Sequence, residues 1–147
     1  MIVLLNNVRS RHNVGSIFRT ADALGVEKIY LCGYTPEPLE KVSLGAEKSV
    51  PFQSVKRVSD ILKKLKAEGF KIYAIEQAKN STPYYIYKPS PKELEKVALV
   101  LGNEVDGLAP AILKKSDKIL EIPMNGQKES LNVSVAFGIV AFNLFYR

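Results

Sequence analysis

The sequence predicts an α/β protein: a single domain with a mostly parallel sheet and helices on both faces of that sheet. Three observations support this prediction. Short apolar runs alternate with amphipathic segments along all 147 residues. The apolar runs are nearly continuous rather than alternating between apolar and polar, as in strands covered on both faces. No Gly- or Ser-rich linker interrupts the chain, whose length suits one domain with a substantial core.

The chain opens with an apolar strand, MIVLL, and continues with an amphipathic helix over residues 14–24. The apolar residues of this helix recur every three or four positions, at Val14, Ile17, Phe18, Ala21 and Leu24. Asn13 stands just before this face, where its side-chain oxygen is expected to cap free backbone N–H groups. Gly25 stands where helices commonly end. A second strand, KIYLCG, follows over residues 28–33.

Strand-like and helix-like segments alternate through the rest of the chain. A helix is predicted for DILKKLKAEGF, which has isoleucine and leucine on one face, lysines on the other, and a stop at Gly69. A short helix is predicted for LAPAILKKS, where Pro110 near the start costs little because the first helical N–H groups are unpaired. Strands are predicted for KIYAIE, VALVLG and KILEIP, at residues 71–76, 97–102 and 118–123.

Three further segments complete the prediction. Residues 130–147, SLNVSVAFGIVAFNLFYR, are apolar almost all round, so we expect a final helix that is buried on most of its sides. Residues 34–53 carry several prolines and are expected to be irregular, with one short helix. Residues 80–93, NSTPYYIYKPSPKE, combine prolines with tyrosines and are expected to form a surface loop.

Composition narrows the class of protein. The formal net charge is +6 and the pI is about 9.4, which favours polyanionic partners and nucleic acid first. No apolar run reaches the roughly 18 residues that span a bilayer, and the N-terminus lacks the basic region and cleavage site of a signal peptide. Cys32 is the only cysteine, so no internal disulfide can form. A reducing, cytoplasmic location fits these features.

Two glycine-containing loops follow predicted strands, at the edge where open α/β sheets bind their ligands. They are LGNEVDGL, residues 101–108, and IPMNGQKESLN, residues 122–132. Their glycines allow a backbone to turn sharply or to approach a ligand closely. Neither G-x-G-x-x-G after the first strand nor G-x-x-x-x-G-K-[ST] occurs, which argues against nicotinamide and ATP chemistry. No cluster of His, Cys and Asp has metal-ligand spacing, so no metal site is predicted.

Three segments resemble the sequence motifs of the SpoU (TrmH-like) branch of the SPOUT RNA methyltransferases. They are NVGSIFRTADALGV, LVLGNEVDGL and IPMNGQKESLNVSVA, in the order and at the approximate spacing of that family. Because the resemblance covers nearly the whole chain, residues 1–147 are expected to be one SpoU-type methyltransferase domain without an accessory RNA-binding domain. The resemblance also implies a C-terminal trefoil knot, and a homodimer with the first-motif helix and the last helix at its interface.

The resemblance further implies an activity and a set of site residues. Members of the family transfer a methyl group from S-adenosylmethionine to a ribose 2′-hydroxyl of tRNA or ribosomal RNA. The positions that match the family's catalytic residues are Asn13, Arg19, Glu104, Ser130 and Asn132. The positions that match its cofactor-binding backbones are Gly102, Ile122 and Leu131, with Asn103 and Met124 nearby. The predicted RNA contacts, just before the first-motif helix, are Arg9, Arg11 and His12.

Arg19 is the least expected residue of the first motif. In a helix that starts after Asn13 it lies one turn from the N-terminus, where the helix dipole disfavours a cation. The resemblance implies that Arg19 faces the RNA, where a guanidinium can hold a phosphate with two hydrogen bonds and stabilise the forming alkoxide. A guanidinium is a poor general base because its pKa lies above about 12. Electrostatic stabilisation is therefore the expected role.

Structural interpretations stay open for each residue taken alone. Asn13 and Ser130 both suit helix caps, while Asn132 could be a polar residue of a first helical turn. Glu104 could accept a backbone N–H group in a turn. The alternative function is a non-catalytic RNA-binding dimer with the same fold. An enzyme that methylates a base instead of a ribose would need a carboxylate as general base for a ring nitrogen, and the sequence offers no candidate for it. Both tRNA and ribosomal RNA stay open as substrates.

Overall fold

The computed structural model describes residues 1–146, in which strands and helices alternate along the chain. The strands are β1 (Ile2–Asn6), β2 (Lys28–Cys32), β3 (Phe52–Val55), β4 (Lys71–Ile75), β5 (Thr82–Pro83), β6 (Val97–Leu101) and β7 (Lys118–Glu121). The helices are α1 (Arg11–Ala23), α2 (Glu40–Ser43), α3 (Ala46–Ser49), α4 (Val58–Ala67), α5 (Pro91–Glu95), α6 (Pro110–Lys115) and α7 (Val133–Phe145). Every strand and helix predicted from the periodicity is present, with ends that shift by a few residues.

The seven strands form one sheet in the order β3-β2-β1-β6-β4-β7-β5, and every neighbouring pair is parallel. β1 lies between β2 and β6, with Leu5 opposite both Leu31 and Leu101. The predicted α/β class and parallel sheet are therefore confirmed. Because the strands are parallel, the loops that follow β1, β4, β6 and β7 all leave the sheet at its carboxyl edge. The trefoil knot stays a prediction, since strand order does not fix how segments thread.

Two apolar cores cover the two faces of the sheet. Successive residues of a strand point to opposite faces, so Val3 and Leu5 belong to one core and Leu4 belongs to the other. The first core contains the buried residues of α1 and α7, and the second contains those of α4 and α6. The prediction of helices on both faces is confirmed. Burial of each such aliphatic side chain contributes about 1.5–3 kcal/mol through the hydrophobic effect.

The first helix starts earlier than predicted. α1 begins at Arg11, and the Ser10 hydroxyl caps it by accepting a hydrogen bond from the backbone N–H of Asn13 at 3.2 Å. The prediction that Asn13 caps this helix is therefore wrong. Arg19 consequently lies beyond the second turn of α1, where the dipole no longer disfavours a cation. Gly25 follows the helix with a φ of +64°, which confirms the predicted stop.

The last helix is capped by Asn132, whose Oδ1 atom accepts a hydrogen bond from Ser134 N at 2.9 Å. Asn132 is therefore not a residue of the first turn, and Ser130 is not the cap. The buried residues of α7 are Phe137, Val140, Ala141 and Leu144. Only Val135 and Phe142 of α7 are exposed, at 48% and 42%, and the other residues of the helix are buried or half-buried, so the helix is covered on most of its sides as expected. No helix within residues 1–146 has the length and apolar character needed to cross a membrane.

Both spans that were predicted to be irregular contain short elements. Residues 34–53 include two short helices, α2 and α3, and the beginning of β3. Residues 80–93 include β5 and the beginning of α5, where Ser90 and Glu93 form a reciprocal capping box. β3 and β5 are the edge strands of the sheet and have only four and two residues. Such short strands have too few residues for a recognisable hydrophobic period.

Candidate active site

A cavity of about 380 Å³ opens at the carboxyl edge of the sheet, beside the ends of β4 and β6. Its walls come from the two glycine-containing loops and from the beginning of α7. The predicted cofactor residues that line it are Gly102, Asn103, Ile122 and Leu131. Met124, in contrast, lies outside the lining. Natural small-molecule sites have volumes of about 300–1,000 Å³, so the two loops form a pocket of suitable size.

Gly102 allows the two ends of its loop to approach each other. A Cβ atom at this position would lie 2.5 Å from the carbonyl carbon of Gly107 and 2.7 Å from Leu108 N, closer than real Cβ contacts. Asn103 and Gly107 form an antiparallel bridge next to this contact. The absence of a side chain at Gly102 is therefore required for backbone packing in the cavity wall.

We expect Gly102→Ala to lower the free energy of unfolding by about 1–3 kcal/mol, the usual cost of overpacking, because the obstructing atoms belong to the backbone. Gly126→Ala is the matched control, since a Cβ atom there meets no heavy atom within 4 Å and its φ is not positive. Urea unfolding of the two variants measures the difference. Equal stability of both would contradict the packing role of Gly102.

Asn103 shapes the same loop with its buried side chain. Its Nδ2 atom donates hydrogen bonds to Asn7 O at 3.0 Å and to the Tyr34 hydroxyl at 2.8 Å. Its Oδ1 atom accepts from Val105 N at 2.7 Å and from Asp106 N at 3.1 Å. Both donors and both lone pairs of the amide are thus in use. The Asn103 side chain is structural, and a ligand at this position would contact the backbone.

Residues from the three predicted motifs meet in one hydrogen-bonded network beside the cavity. Asn13 Nδ2 donates to Glu104 Oε1 at 3.0 Å, and Asn132 Nδ2 donates to Asn13 Oδ1 at 2.9 Å. Glu104 also accepts hydrogen bonds from the backbone N–H groups of Arg9 and Ser10, at 2.9 and 3.1 Å. The tertiary structure thereby joins residues that are 91 and 119 positions apart. Asn13 turns toward Glu104 instead of capping its own helix.

The Glu104 carboxylate is stabilised in its charged form. Burial by itself raises the pKa of this group, but hydrogen bonds from Arg9 N, the Asn13 side chain and Ser10 N outweigh burial and lower the pKa. Because the folded pKa lies below the unfolded one, the carboxylate stabilises the fold above the unfolded pKa. That contribution is lost as the pH falls through the folded value. At neutral pH Glu104 therefore accepts hydrogen bonds and does not act as an acid.

The remaining two predicted catalytic residues lie in different places. Ser130 is exposed and lines the cavity. Arg19 is exposed and lies in a separate shallow depression between α1, α2 and α3. Its guanidinium makes no hydrogen bond or ion pair within residues 1–146. About 9 Å of helix rise separates Arg19 from Asn13, and no hydrogen bond or ion pair within residues 1–146 joins Arg19 to the Glu104 network.

The predicted RNA contacts cluster at the beginning of α1 but differ in their availability. The Arg11 guanidinium donates to two carbonyl oxygens of the segment before α2, at 3.1 and 3.2 Å, and so anchors that segment. The Arg9 side chain is 58% exposed, and its guanidinium lies 3.9 Å from the Asp106 carboxylate. His12 is exposed in the first turn of α1. Arg9 and His12 are therefore more available to a ligand than Arg11.

Two residues at the end of β4 were missed by sequence reasoning. Glu76 Oε2 accepts a hydrogen bond from Leu108 N at 2.9 Å, and Gln77 Nε2 donates to Glu129 O at 2.7 Å. Glu76 and Gln77 both line the cavity, and each holds one of the two loops against β4. A signal was present in the sequence, because polar residues that directly follow a predicted parallel strand lie at the ligand-binding edge.

The fold and the site together define a class of protein. It is an α/β domain with a parallel sheet, a ligand pocket at the carboxyl edge of that sheet, and a network of one carboxylate and two carboxamides beside the pocket. Comparison with known proteins specifies the family within this class. A model of the SpoU rRNA Methylase family matches residues 1–142. The chain belongs to this family, as the three motifs predicted.

Two curated relatives illustrate the similarity. The chain is 37% identical to tRNA (guanosine(18)-2'-O)-methyltransferase of Aquifex aeolicus (strain VF5), over 97% of its own length and 67% of the relative's. It is 35% identical to 23S rRNA (guanosine(2553)-2'-O)-methyltransferase RlmP of Bacillus subtilis (strain 168), over 97% of its own length and 57% of the relative's. The chain thus spans between 57% and 67% of the length of these two proteins.

A solved structure shows that the fold is shared as well. The AdoMet-bound rRNA methyltransferase from Sinorhizobium meliloti matches this chain with a TM-score of 0.86 at 31% identity. The match covers 97% of this chain and 54% of the other. The parallel sheet and its covering helices are therefore those of a known methyltransferase fold.

Proposed function

We propose that this chain is an S-adenosylmethionine-dependent RNA methyltransferase that acts on a ribose 2′-hydroxyl of tRNA or ribosomal RNA. The observation that carries the proposal is the network of Glu104, Asn13 and Asn132 beside the cavity. The names of both curated relatives describe 2′-O-methyltransferases, which supports the reaction type. An RNA-binding protein without catalytic activity has no need of such a network, so the catalytic function is favoured.

The cavity suits S-adenosylmethionine by the chemistry of its walls. Ile122 and Leu131 supply apolar surface, and Gly102 and Gly107, which have no side chains, line the cavity with backbone groups. The S. meliloti relative, solved with AdoMet bound, supports this choice of ligand. When bound, the cofactor supplies an activated methyl group. The protein must then orient the ribose oxygen and ease the loss of its proton.

The residues of the network have roles that follow from their contacts. Glu104 fixes the Asn13 amide, and Asn13 in turn fixes Asn132, so the network is rigid before a ligand arrives. The Ser130 hydroxyl has no partner within residues 1–146 and lines the cavity, so it is available to hydrogen-bond a ligand. The Arg19 guanidinium would hold an RNA phosphate and stabilise negative charge on the attacking oxygen.

We also propose a homodimer in which Arg19 completes the site of the partner. In one chain Arg19 lines a separate depression and makes no contact with the network, which supports a site that takes its arginine from a second copy. The exposed apolar side chains of Val135 and Phe142 follow one helical stripe of α7, and the exposed ring of Tyr146, directly after the helix, stacks on Phe142. A second copy would bury this stripe. We propose a cytoplasmic location for this dimer, in keeping with its proposed tRNA or ribosomal RNA substrate.

Incubation of the chain with bulk RNA and methyl-labelled S-adenosylmethionine tests the proposed function. We expect label in RNA and phosphodiester bonds that resist alkaline hydrolysis at the labelled nucleotides, because a methylated 2′-oxygen cannot attack the phosphate. Cofactor binding without label in any RNA would favour a non-catalytic RNA-binding protein.

Calorimetry of S-adenosylmethionine binding with a chelator present is expected to show unchanged affinity, because no metal site is predicted. Loss of binding on chelation would contradict the metal-free site.

Replacement of Arg9 and Arg11 with alanine is expected to reduce the salt dependence of RNA binding. Each phosphate contact to a single strand contributes a slope of roughly −0.7 in log K against log salt, so the slope should flatten by about 0.7 units if Arg9 alone holds a phosphate and by about 1.4 units if Arg11 does so as well. Alanine at Lys63 and Lys64, exposed lysines of α4, is the matched control. Fluorescence anisotropy at several salt concentrations gives the slopes. An unchanged slope in the arginine variant would place the phosphate contacts elsewhere.

A further inference from the structure

Residues 79–88, KNSTPYYIYK, form a surface segment that the proposed site does not use, here called the tyrosine segment. It contains two lysines, three tyrosines and one isoleucine, and no acidic residue. Tyr85 and Ile86 are 53% and 58% exposed. Lys79 and Lys88 make no ion pair with any residue of 1–146. Exposed aromatic rings between uncompensated cations are typical of surfaces that bind single-stranded nucleic acid.

The tyrosine segment is anchored by the side chain of Tyr87. The hydroxyls of Tyr87 and Tyr73 are 3.0 Å apart, and the Tyr87 hydroxyl donates to Glu93 at 3.2 Å. The rings of Tyr84 and Tyr85 are perpendicular, with centroids 5.5 Å apart, so Tyr84 supports the exposed ring of Tyr85. A ligand that stacks on a supported ring orders little additional side chain, which lowers the entropic cost of binding.

The tyrosine segment also borders the candidate active site. Gln77, two positions before the segment, donates a hydrogen bond from Nε2 to Glu129 O at 2.7 Å. Gln77 thereby contacts the loop that contains Ser130. Within the segment, Tyr84 N donates to Glu121 O at 2.9 Å. Glu121 directly precedes Ile122, which lines the cavity. The segment is therefore bonded to the end of β7, directly before the loop of residues 122–132, and Gln77, two positions before the segment, is bonded to that same loop.

We propose that the tyrosine segment binds an unpaired nucleotide next to the methylated ribose, with its base stacked on Tyr85 and neighbouring phosphates held by Lys79 and Lys88. The inference rests on the proposed function and names the part of the RNA that this chain recognises. An unpaired base is favoured over a helical stem because stacking on a protein ring requires a free base face. The lack of acidic residues in the segment favours RNA over a basic protein partner.

Binding of a fluorescein-labelled single-stranded RNA oligonucleotide to the full chain, followed by anisotropy, tests the proposal. Tyr85→Ala is expected to weaken single-strand binding about fivefold or more, as loss of one stacking ring does, and to leave binding of the matching duplex unchanged. Tyr85→Phe keeps the ring and is expected to bind like the unmodified chain. Alanine at both Lys79 and Lys88 should flatten the salt slope by about 1.4 units. The Lys63 and Lys64 double variant serves again as control.

Three results would overturn the proposal. The first is a Tyr85→Ala variant that binds single-stranded RNA as tightly as the unmodified chain. The second is a Tyr85→Phe variant that loses as much single-strand affinity as Tyr85→Ala. The third is a change in the oligomeric state of Tyr85→Ala, measured by sedimentation, which would show that the segment is a protein interface. Thermal unfolding and S-adenosylmethionine binding of each variant are expected to match the unmodified chain. If the unmodified chain methylates RNA while Tyr85→Ala keeps its KM for RNA, only the segment proposal fails. If no RNA is methylated at all, the proposed function fails, and single-strand affinity still decides the segment.

Discussion

Arg19→Lys is expected to abolish most methyl transfer while leaving the fold and cofactor binding intact. Arg19 is exposed and has no partner within residues 1–146, so the change should alter stability by about 0.5 kcal/mol or less. An ammonium keeps the charge but cannot reproduce the planar, bidentate grip of a guanidinium on a phosphate. Loss of one preorganised donor to a developing oxyanion typically lowers the rate by about 10²–10³-fold.

Single-turnover methyl transfer measures the loss, and calorimetry measures S-adenosylmethionine affinity. Arg57→Lys is the matched control, because Arg57 is equally an exposed arginine, at the start of α4, with an ion pair to Asp60 at 3.1 Å. We expect this control to retain full activity. Near-normal turnover in Arg19→Lys would show that Arg19 is an ordinary surface residue and that the reaction needs no guanidinium.

The second large effect is expected in mixed dimers. Arg19→Ala and Asn132→Ser homodimers should both be inactive, because one lacks the guanidinium and the other lacks the amide that donates to Asn13. Serine is chosen at position 132 because Asn132 caps α7, and serine retains capping ability. If Arg19 serves the partner's site, a dimer of one variant with the other carries both defects in one site and neither in the second. Activity should then return to about half of the unmodified level.

Co-expression with two affinity tags isolates the mixed dimers, and methyl transfer is compared with both homodimers. Thermal unfolding of Asn132→Ser verifies that the cap is retained. If each site instead takes both residues from its own chain, every site in the mixed dimer carries one defect and no activity returns. That result would defeat the shared site while leaving the methyltransferase proposal intact.

The sequence alone determined the architecture to a large extent. Continuous apolar runs such as KIYLCG identified the inner strands of the sheet, because a strand covered on both faces has no polar side. The three-four spacing in α1 and α4 identified the covering helices, and Gly25 and Gly69 marked their ends with positive φ values of 64° and 86°. Three motifs in order were enough to identify the family, which the match over residues 1–142 confirms.

The tertiary structure decided which polar side chains cap the helices and which join the network beside the cavity. Ser10 and Asn13 are both good caps, and so are Ser130 and Asn132, so local propensity could not choose between them. The choice was made by partners distant in sequence: Glu104 recruits the Asn13 side chain, which leaves the cap to Ser10.

Two short edge strands and the position of Arg19 likewise depended on the fold. β3 and β5 exist because β2 and β7 offer unpaired edges, not because their own four and two residues specify a strand. Arg19 lies in its own depression because α1 turns it away from the Asn13 network. The period of apolar residues in a sequence indicates which face of a helix or strand is buried. It does not indicate that Asn13 contacts Glu104 and Asn132, 91 and 119 positions away, because these contacts depend on how the helices and strands pack.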